Sequence, residues 1–382
     1  MKSIKVCAIS GSRAEYSIFY PVLKALNNSK YFILKIVTHG MHNSSYFGNT
    51  YKEIERDGFV IDYKASTLEE DISENSMAIS VANSISKLSI YLKKTRPDIV
   101  LIIGDRFETH ASATASLLLN IPIAHIHGGE ISEGAVDEQL RHSISKMSHL
   151  HFCSNEVHRK RLIQMGEQPN LVFNVGAPAL DNIKVTSFLS KFDIQEELKW
   201  RWSNKLALIT YHPETLNDRN IEDNLNSFLS SIVKIGIDVI FTYSNADCGG
   251  KRINELLELF CKKNPKKYKI VENLGFRLYL SVMNICDVVM GNSSSGIIEA
   301  ASFNKPVINI GNRQKGRMKG LNVIDSSYKE IEKSYYLSQS KDFLKSMGNI
   351  KNPYGDGNAA ERITNILMRK IPSLQKKFYD LD

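Results

Sequence analysis

Short apolar runs that end in glycine and polar residues recur along the chain, each followed by a stretch with helical spacing. Residues 4–10 (IKVCAIS) form such a run, and Gly11 to Glu15 turn it into residues 16–26, where Ile18, Val22, Leu23 and Leu26 share one helical face. The segment 31–40 (YFILKIVTHG) reads as a strand, followed by helix-like segments near 50–57 and at 75–95. At 99–119 (IVLIIGDRFETHASATASLLL) the unit repeats with five apolar residues in a row. Such a strand is buried on both faces, as in a parallel sheet, which puts Asp105 and Arg106 at its carboxyl edge. The next run ends in His125, Ile126 and His127, whose two imidazoles share a face at period two. After a Ser/Gly loop, Asp137, Glu138, Arg141 and His142 open a helix. A strand at 148–155, a helix at 156–166 and a strand with a Gly-Ala-Pro turn at 171–182 complete about six strand-helix units, which make one doubly wound domain over 1–182.

Residues 183–203 read as a linker, and the pattern then restarts. A strand at 206–216 carries Tyr211, His212, Pro213 and Glu214 at its end, and 221–235 is an amphipathic helix. The strand at 238–250 ends in Asn245, Ala246 and Asp247; a helix at 251–263, a short strand (YKIVEN) and a helix at 274–286 follow. Residues 287–311 run strand, Gly-Asn-Ser-Ser-Ser-Gly loop, helix and strand. The expected second domain is 204–360, with a helix and tail at 361–382 packing back on the first. The fold class is therefore α/β: two Rossmann-like, doubly wound domains. Ligands of such sheets bind outside the carboxyl ends of the strands, so the active site is expected in the cleft between the domains.

Composition narrows the function classes. The chain of 382 residues is 42% hydrophobic and 24% charged, the mixture of a globular enzyme. Its net charge of +8 comes from scattered lysines without a basic block or interleaved aromatics, which fits an anionic small molecule and gives no nucleic-acid signature. The five cysteines, Cys7, Cys153, Cys248, Cys261 and Cys286, are widely spaced and form no CxxC unit, so a reducing cytoplasm is expected. No apolar run is long enough for a membrane span, and the amino-terminal one is too short for a signal peptide.

Two phosphate-binding candidates stand out. At Gly11 to Glu15 a helix start aims N–H groups at an anion, and Arg13 adds a bidentate donor. In GNSSSGIIE at 291–299, small residues admit a phosphate, Ser293 and Ser294 offer hydroxyls, and Glu299 can face a sugar diol. Arg313 and Arg317 add charge. Neither loop has the Walker or GxGxxG pattern, so no nicotinamide or flavin cofactor is implied. The bland readings remain open: Asp and Ser as helix caps, arginines as solvated surface, and Asp137 with Arg141 as an i,i+4 ion pair. His125, His127, Glu130 and His142 admit a metal-dependent hydrolase, although no HExxH-type pair is present. Asp105, Glu130 and Asp137 together suit removal and return of a proton.

The segments GSRAEY, THGMH, GDRFE, HIHGGE, VDEQLRHSISKMSH, YHPET, GNSSSGIIEA and NIGNRQKGR occur in that order over nearly the whole chain. In them the sequence resembles the hydrolysing nucleotide-sugar 2-epimerases of sialic-acid synthesis, relatives of the non-hydrolysing UDP-N-acetylglucosamine 2-epimerases. The resemblance implies a GT-B-like arrangement, a homodimer or homotetramer, no metal or redox cofactor, and conversion of UDP-N-acetylglucosamine to N-acetylmannosamine and UDP. It implies acid/base roles for Asp105 and Asp137, and stabilisation of the departing diphosphate by His212 and Arg13. Nucleotide or substrate contacts are implied for Asn245, Ser293, Ser294, Glu299 and Arg313, with Arg106 and Ala14 beside them. Two positions depart from the family pattern: His127 stands where many relatives have a catalytic Glu, and Ile18 where many have Lys. Either His127 or Glu130 then supplies the acid/base group. The same variant pattern looks like the branch with capsule and legionaminic-acid enzymes, which keeps 2,4-diacetamido sugars on UDP or GDP open as substrates. A GT-B glycosyltransferase and a non-catalytic nucleotide-sugar sensor are the readings from other classes.

Overall fold

The apolar runs become the strands of two all-parallel sheets in the computed structural model, which describes residues 3–69, 74–133, 136–214, 221–244, 249–348 and 350–381. The first sheet has seven strands in the order β3-β2-β1-β4-β5-β6-β7. These are β1 (Ile4–Ser10), β2 (Phe32–Thr38), β3 (Tyr63–Lys64), β4 (Ile99–Ile103), β5 (Ile123–Ile126), β6 (Leu150–Cys153) and β7 (Val172–Asn174). Between them run α1 (Arg13–Asn27), α2 (Tyr51–Arg56), α3 (Glu74–Thr95), α4 (Phe107–Leu118), α5 (Asp137–Met147) and α6 (Glu156–Gln164), with α7 (Ala179–Val185) after β7. All five residues of β4 are buried, as the unbroken apolar run predicts for a central parallel strand. The order of strands reverses between β1 and β4, so the crevice where such sheets take ligands opens beside the Gly11 and Gly104 turns.

The second sheet repeats the plan with six strands, β10-β9-β8-β11-β12-β13, reversing between β8 and β11. Its strands are β8 (Leu206–Thr210), β9 (Asp238–Thr242), β10 (Tyr268–Val271), β11 (Val288–Gly291), β12 (Val307–Ile310) and β13 (Val323–Ser326). Its helices are α8 (Lys191–Leu198), α9 (Ile221–Ile235), α10 (Gly250–Lys263), α11 (Gly275–Ile285), α12 (Ser294–Ile298), α13 (Ile331–Ser338) and α14 (Lys341–Met347). The amphipathic pattern at 221–235 is α9 to the residue.

The chain divides into two units: residues 1–130, 137–182 and 354–382, and residues 131–136 with 183–353. Two boundaries therefore move from their expected places. Residues 183–203 are no bare linker: α8 lies there, and Ile194, Leu198, Trp200 and Trp202 are buried in a core with Leu206, Leu208, Val282 and Met283 of the second unit. The return to the first unit comes at residue 354, ahead of the final helix α15 (Ala359–Arg369). That helix presents Ala360, Ile363 and Leu367 to Phe19, Leu23 and Leu26 of α1. Its first N–H groups, on Ala359 and Ala360, donate to the two carboxylate oxygens of Asp181 at 3.0 and 2.9 Å, which satisfies donors that a helix start leaves without a partner.

Among the described residues no helix is long and apolar enough to cross a membrane. Cys7, Cys153, Cys261 and Cys286 are free and buried.

Candidate active site

The β4-β5-α5 part of the first unit gathers most of the expected acid/base residues around one buried guanidinium. Arg141, on α5, is 1% exposed. It donates to Asp105 through Nη2, donates to the carbonyl of His127 at 3.3 Å through Nη1, and lies 3.7 Å from Glu130 Oε2. Burial works against its charge, yet the carboxylates of Asp105, Glu130, Asp137 and Glu138 hold its pKa above the ordinary arginine value. So Arg141 does more than form the local i,i+4 pair open to it with Asp137: it links the carboxyl edges of β4 and β5 to α5.

His125 and His127 do not share a face. The chain leaves the strand at Ile126, and His127 takes the left-handed backbone region with φ of +67°, which breaks the alternation. His125 Nε2 donates to Gly104 O at 2.7 Å, and burial pushes its pKa down to about 3, so it is a neutral tie between two turns. His127 points elsewhere, with Nδ1 2.5 Å from Glu130 Oε1. A carboxylate only accepts, so Nδ1 carries the proton and neutral His127 has a bare Nε2. That Nε2 is buried and meets no partner among the described residues.

The orientation is enforced from behind. Ser154 donates to Glu130 Oε1 at 3.0 Å, so its hydroxyl accepts from His158 Nδ1 at 2.9 Å. His158 Nε2 then accepts from Asn155 Nδ2 at 3.4 Å, and the same side chain caps α6 by accepting from His158 N at 3.0 Å. A chain of directed bonds thus ends on His127 and fixes its tautomer, the arrangement that general-base histidines require. Both Glu130 and His127 were candidates for the acid/base role; here Glu130 is the holder and His127 the group with a free nitrogen. Neither Ser154, Asn155 nor His158 was singled out in the sequence, because their only signal is geometric. No described cluster of three or more His, Cys, Asp or Glu side chains is arranged to hold a metal ion.

The Gly11 turn differs from its expectation. The N–H groups of Gly11 and Ser12 donate to Glu15 Oε2 at 2.8 and 3.2 Å, in a capping box with Ser12, and so are already used. Arg13, half-exposed beside an exposed Ala14, is the cationic side chain at this turn. Arg106, after β4, donates through Nε to Glu108 Oε2 at 3.4 Å. Glu15 and Glu108 are both buried, and neither was picked out as chemistry although both lie in the motifs read for their neighbours.

In the second unit, Asn292 after β11 organises the edge. Its side chain accepts from His212 N at 2.7 Å and donates to His212 O at 2.8 Å, clamping the end of β8 to the end of β11. Its own carbonyl accepts from Arg313 Nη1 at 3.1 Å and Gln314 Nε2 at 2.8 Å. The clamp needs Gly291, whose φ is +117° and whose missing Cβ leaves room for Thr210 O. His212 is buried, with Nδ1 3.2 Å from Ser244 Oγ. Ser293 caps the short helix α12 by accepting from Ser295 N at 3.3 Å, and Ser294 is its first residue. Glu299 accepts from Ser295 Oγ, and burial pushes its carboxyl up to about 7. His212, Ser293, Ser294, Glu299 and Arg313 thus lie along one sheet edge, whereas Asn245 falls outside the described residues. Arg317, in the same unit, donates to Ile131 O at 3.3 Å.

Comparison with known proteins shows the family to which the chain belongs. Residues 24–368 match the family model described as UDP-N-acetylglucosamine 2-epimerase. The chain is 40% identical, over all of both chains, to a Campylobacter jejuni protein named GDP/UDP-N,N'-diacetylbacillosamine 2-epimerase (hydrolyzing). It is 35% identical, over 96% of each chain, to the UDP-N,N'-diacetylbacillosamine 2-epimerase (hydrolyzing) of Legionella pneumophila. The crystal structure of UDP-GlcNAc 2-epimerase from Neisseria meningitidis bound to UDP-GlcNAc shares the fold, with a TM-score of 0.80 at 21% identity over 96% of this chain and 100% of that one. With the matched model spanning most of its length and full-length relatives at this identity, the chain belongs to the UDP-N-acetylglucosamine 2-epimerase family and is an enzyme of its hydrolysing, nucleotide-sugar kind.

Proposed function

We propose that this enzyme takes N,N'-diacetylbacillosamine (2,4-diacetamido-2,4,6-trideoxyglucose) linked to UDP or GDP, and releases the free 2-epimer and the nucleoside diphosphate. The observation that carries this choice of substrate is the end-to-end 40% identity to the Campylobacter jejuni protein named for that reaction. UDP-N-acetylglucosamine, giving N-acetylmannosamine and UDP, is the second reading, favoured by the description of the family model.

The chemistry explains why such residues are needed. The C2 proton is barely acidic and leaves only as the C1–O bond breaks. His127 Nε2 accepts that proton, the C2–H electron pair forms the C1–C2 double bond of a glycal, and the diphosphate departs with the C1–O pair. Water then adds its oxygen to C1 and gives up one proton to a carboxylate, while an acid delivers a proton to C2 from the face opposite the one it left, which inverts C2. Asp105 and Asp137 are assigned to this second step, since an acid on the far face must differ from the base that took the proton. Arg13, Arg106 and His212 stabilise the leaving diphosphate, and Asn245, Ser293, Ser294, Glu299 and Arg313 hold the nucleotide. A homodimer or homotetramer in the cytoplasm belongs to the same reading, supported by the family resemblance and by the free, buried cysteines.

A proton-NMR time course with the UDP- and GDP-linked diacetamido sugars and with UDP-N-acetylglucosamine tests this. The expected result is fastest release of the 2-epimer from a diacetamido substrate. Faster turnover of UDP-N-acetylglucosamine would move the assignment to the second reading. Sugar transfer to an acceptor with C2 unchanged, or binding without turnover of any of the three, would contradict it.

A further inference from the structure

Glu108 is a first-turn residue of α4 whose side chain is fully buried. An acidic residue there can serve the helix dipole from the surface, where its charge stays hydrated. Instead the fold clears an interior place for it. A Cβ on Gly40, whose φ is +55°, would come within 2.6 Å of Glu108 Cγ, and one on Gly11 would also collide with its side chain. Glu108 Oε2 accepts from Arg106 Nε at 3.4 Å, whereas Oε1 is buried with no hydrogen-bond partner among the described residues. Glu15 is the second buried carboxylate here, bound by Gly11 N, Ser12 N and Thr109 Oγ1. All of this sits at the β1–β4 reversal, beside Asp105.

We propose that Glu108 is the positioning residue of Arg106: it aims the guanidinium while the site is empty and takes up a proton when an anionic substrate engages that guanidinium. The proton comes from solvent onto a Glu108 carboxylate oxygen, leaving a neutral acid and giving the cation to the ligand. The inference rests on the nucleotide-sugar reading, through Arg106.

The charged groups around Glu108 support the exchange. Burial first, and the Glu15 carboxylate, raise its pKa to about 7, against the opposing pull of Arg106. Asp105 acts on the same group through Glu15, whose own pKa burial also raises. His39 and His42, on the turn that carries Gly40, are held neutral by burial, with pKa values of about 4 and about 3, and Arg13 acts on His42. On α4 itself, Ser112 donates to Glu108 O at 3.0 Å and is 3.1 Å from His39 Nε2, and burial lowers the pKa of His110.

The test is the pH dependence of KM and kcat for UDP-N,N'-diacetylbacillosamine, whose doubly esterified diphosphate has no proton to titrate near neutrality. Below about pH 7 Glu108 is already protonated and KM is at its minimum. Above it, binding requires proton uptake, and KM rises by up to about tenfold per pH unit. In E108Q, which mimics the protonated acid, KM stays low and flat while kcat remains within about threefold of wild type. E108Q with a KM profile parallel to wild type, or with kcat lost at unchanged KM, would overturn the proposal. If E108Q does not fold, the wild-type profile decides alone, and a flat KM up to about pH 8.5 overturns it. Absence of turnover at every pH would instead contradict the nucleotide-sugar reading beneath it.

Discussion

At the β1–β4–β5 edge of the first sheet, Arg141 pairs with Asp105 and Glu130, Glu130 holds the His127 ring, and Arg106 pairs with Glu108, with the buried carboxyl of Glu15 close by. At the corresponding β8–β11 edge of the second, most of the ties are neutral: an asparagine amide, backbone carbonyls, serine hydroxyls and an imidazole beside a hydroxyl. Both edges come from parallel sheets that reverse next to the first strand of their unit, so strand order does not account for the contrast. What differs is the side chains that the glycine turns release. At the first edge burial raises the pKa of the Glu15 and Glu108 carboxyls, so their protonation can respond to a ligand; amides and hydroxyls keep their form across pH, which suits holding one.

Removing the shared cation should break the first edge most severely. Arg141→Met leaves Asp105 and Glu130 without their counter-charge, and a loss of about 3 kcal/mol in urea unfolding is expected, along with activity. Next in size is the loss of the free imidazole nitrogen. His127→Gln should lower kcat by about 10²–10⁴-fold with little change in unfolding midpoint. Glu130→Gln keeps the ring but loosens its tautomer, and its kcat should fall between that variant and wild type. Equal loss in kcat for both, with His127→Glu inactive as well, would argue that His127 is a packing residue.

The second edge should respond in KM. Asn292→Ala strands the N–H and carbonyl of His212, at a cost of about 1–3 kcal/mol, and should raise KM while kcat changes little. A kcat effect as large as that of His127→Gln would erase the division of labour between the edges. The smallest effect concerns Glu299. Its folded-state pKa of about 7 lies above the ordinary carboxylate value, so the folded state binds more protons and stability falls as pH rises from about 4.5 to about 7. Glu299→Gln should flatten that decline in unfolding midpoints measured across the same window; an unchanged slope would assign it to other carboxylates.

Much of this was legible from periodicity because the strands are short, apolar and bounded by glycine. β4 and α9 fall where their patterns predict. β3, with two residues, and β13, with half-buried positions, offer no such pattern and were not anticipated. The tryptophans at 200 and 202 read as linker because the neighbouring residues are charged, yet burial of their rings outweighs that polarity. At the site, Asp105, His127, Glu130, Ser293 and Glu299 could be named from strand ends and helix starts. Their partners could not. Arg141 looked like half of a local pair, and Glu108, Ser154 and His158 carried no reading of their own: the bonds from Arg141 to Asp105 and from Ser154 to Glu130 span 36 and 24 residues, and the space for Glu108 is cleared by Gly11 and Gly40 on other strand ends.

The most direct test of the His127 assignment is the reaction of UDP-N,N'-diacetylbacillosamine in deuterated water, followed by proton NMR with wild-type enzyme and His127→Gln. Wild type should release the free 2-epimer with one deuterium at C2, and the variant should fail to form glycal or product at a comparable rate. Product that keeps its original C2 proton, or a variant that exchanges and epimerises as fast as wild type, would contradict the assignment.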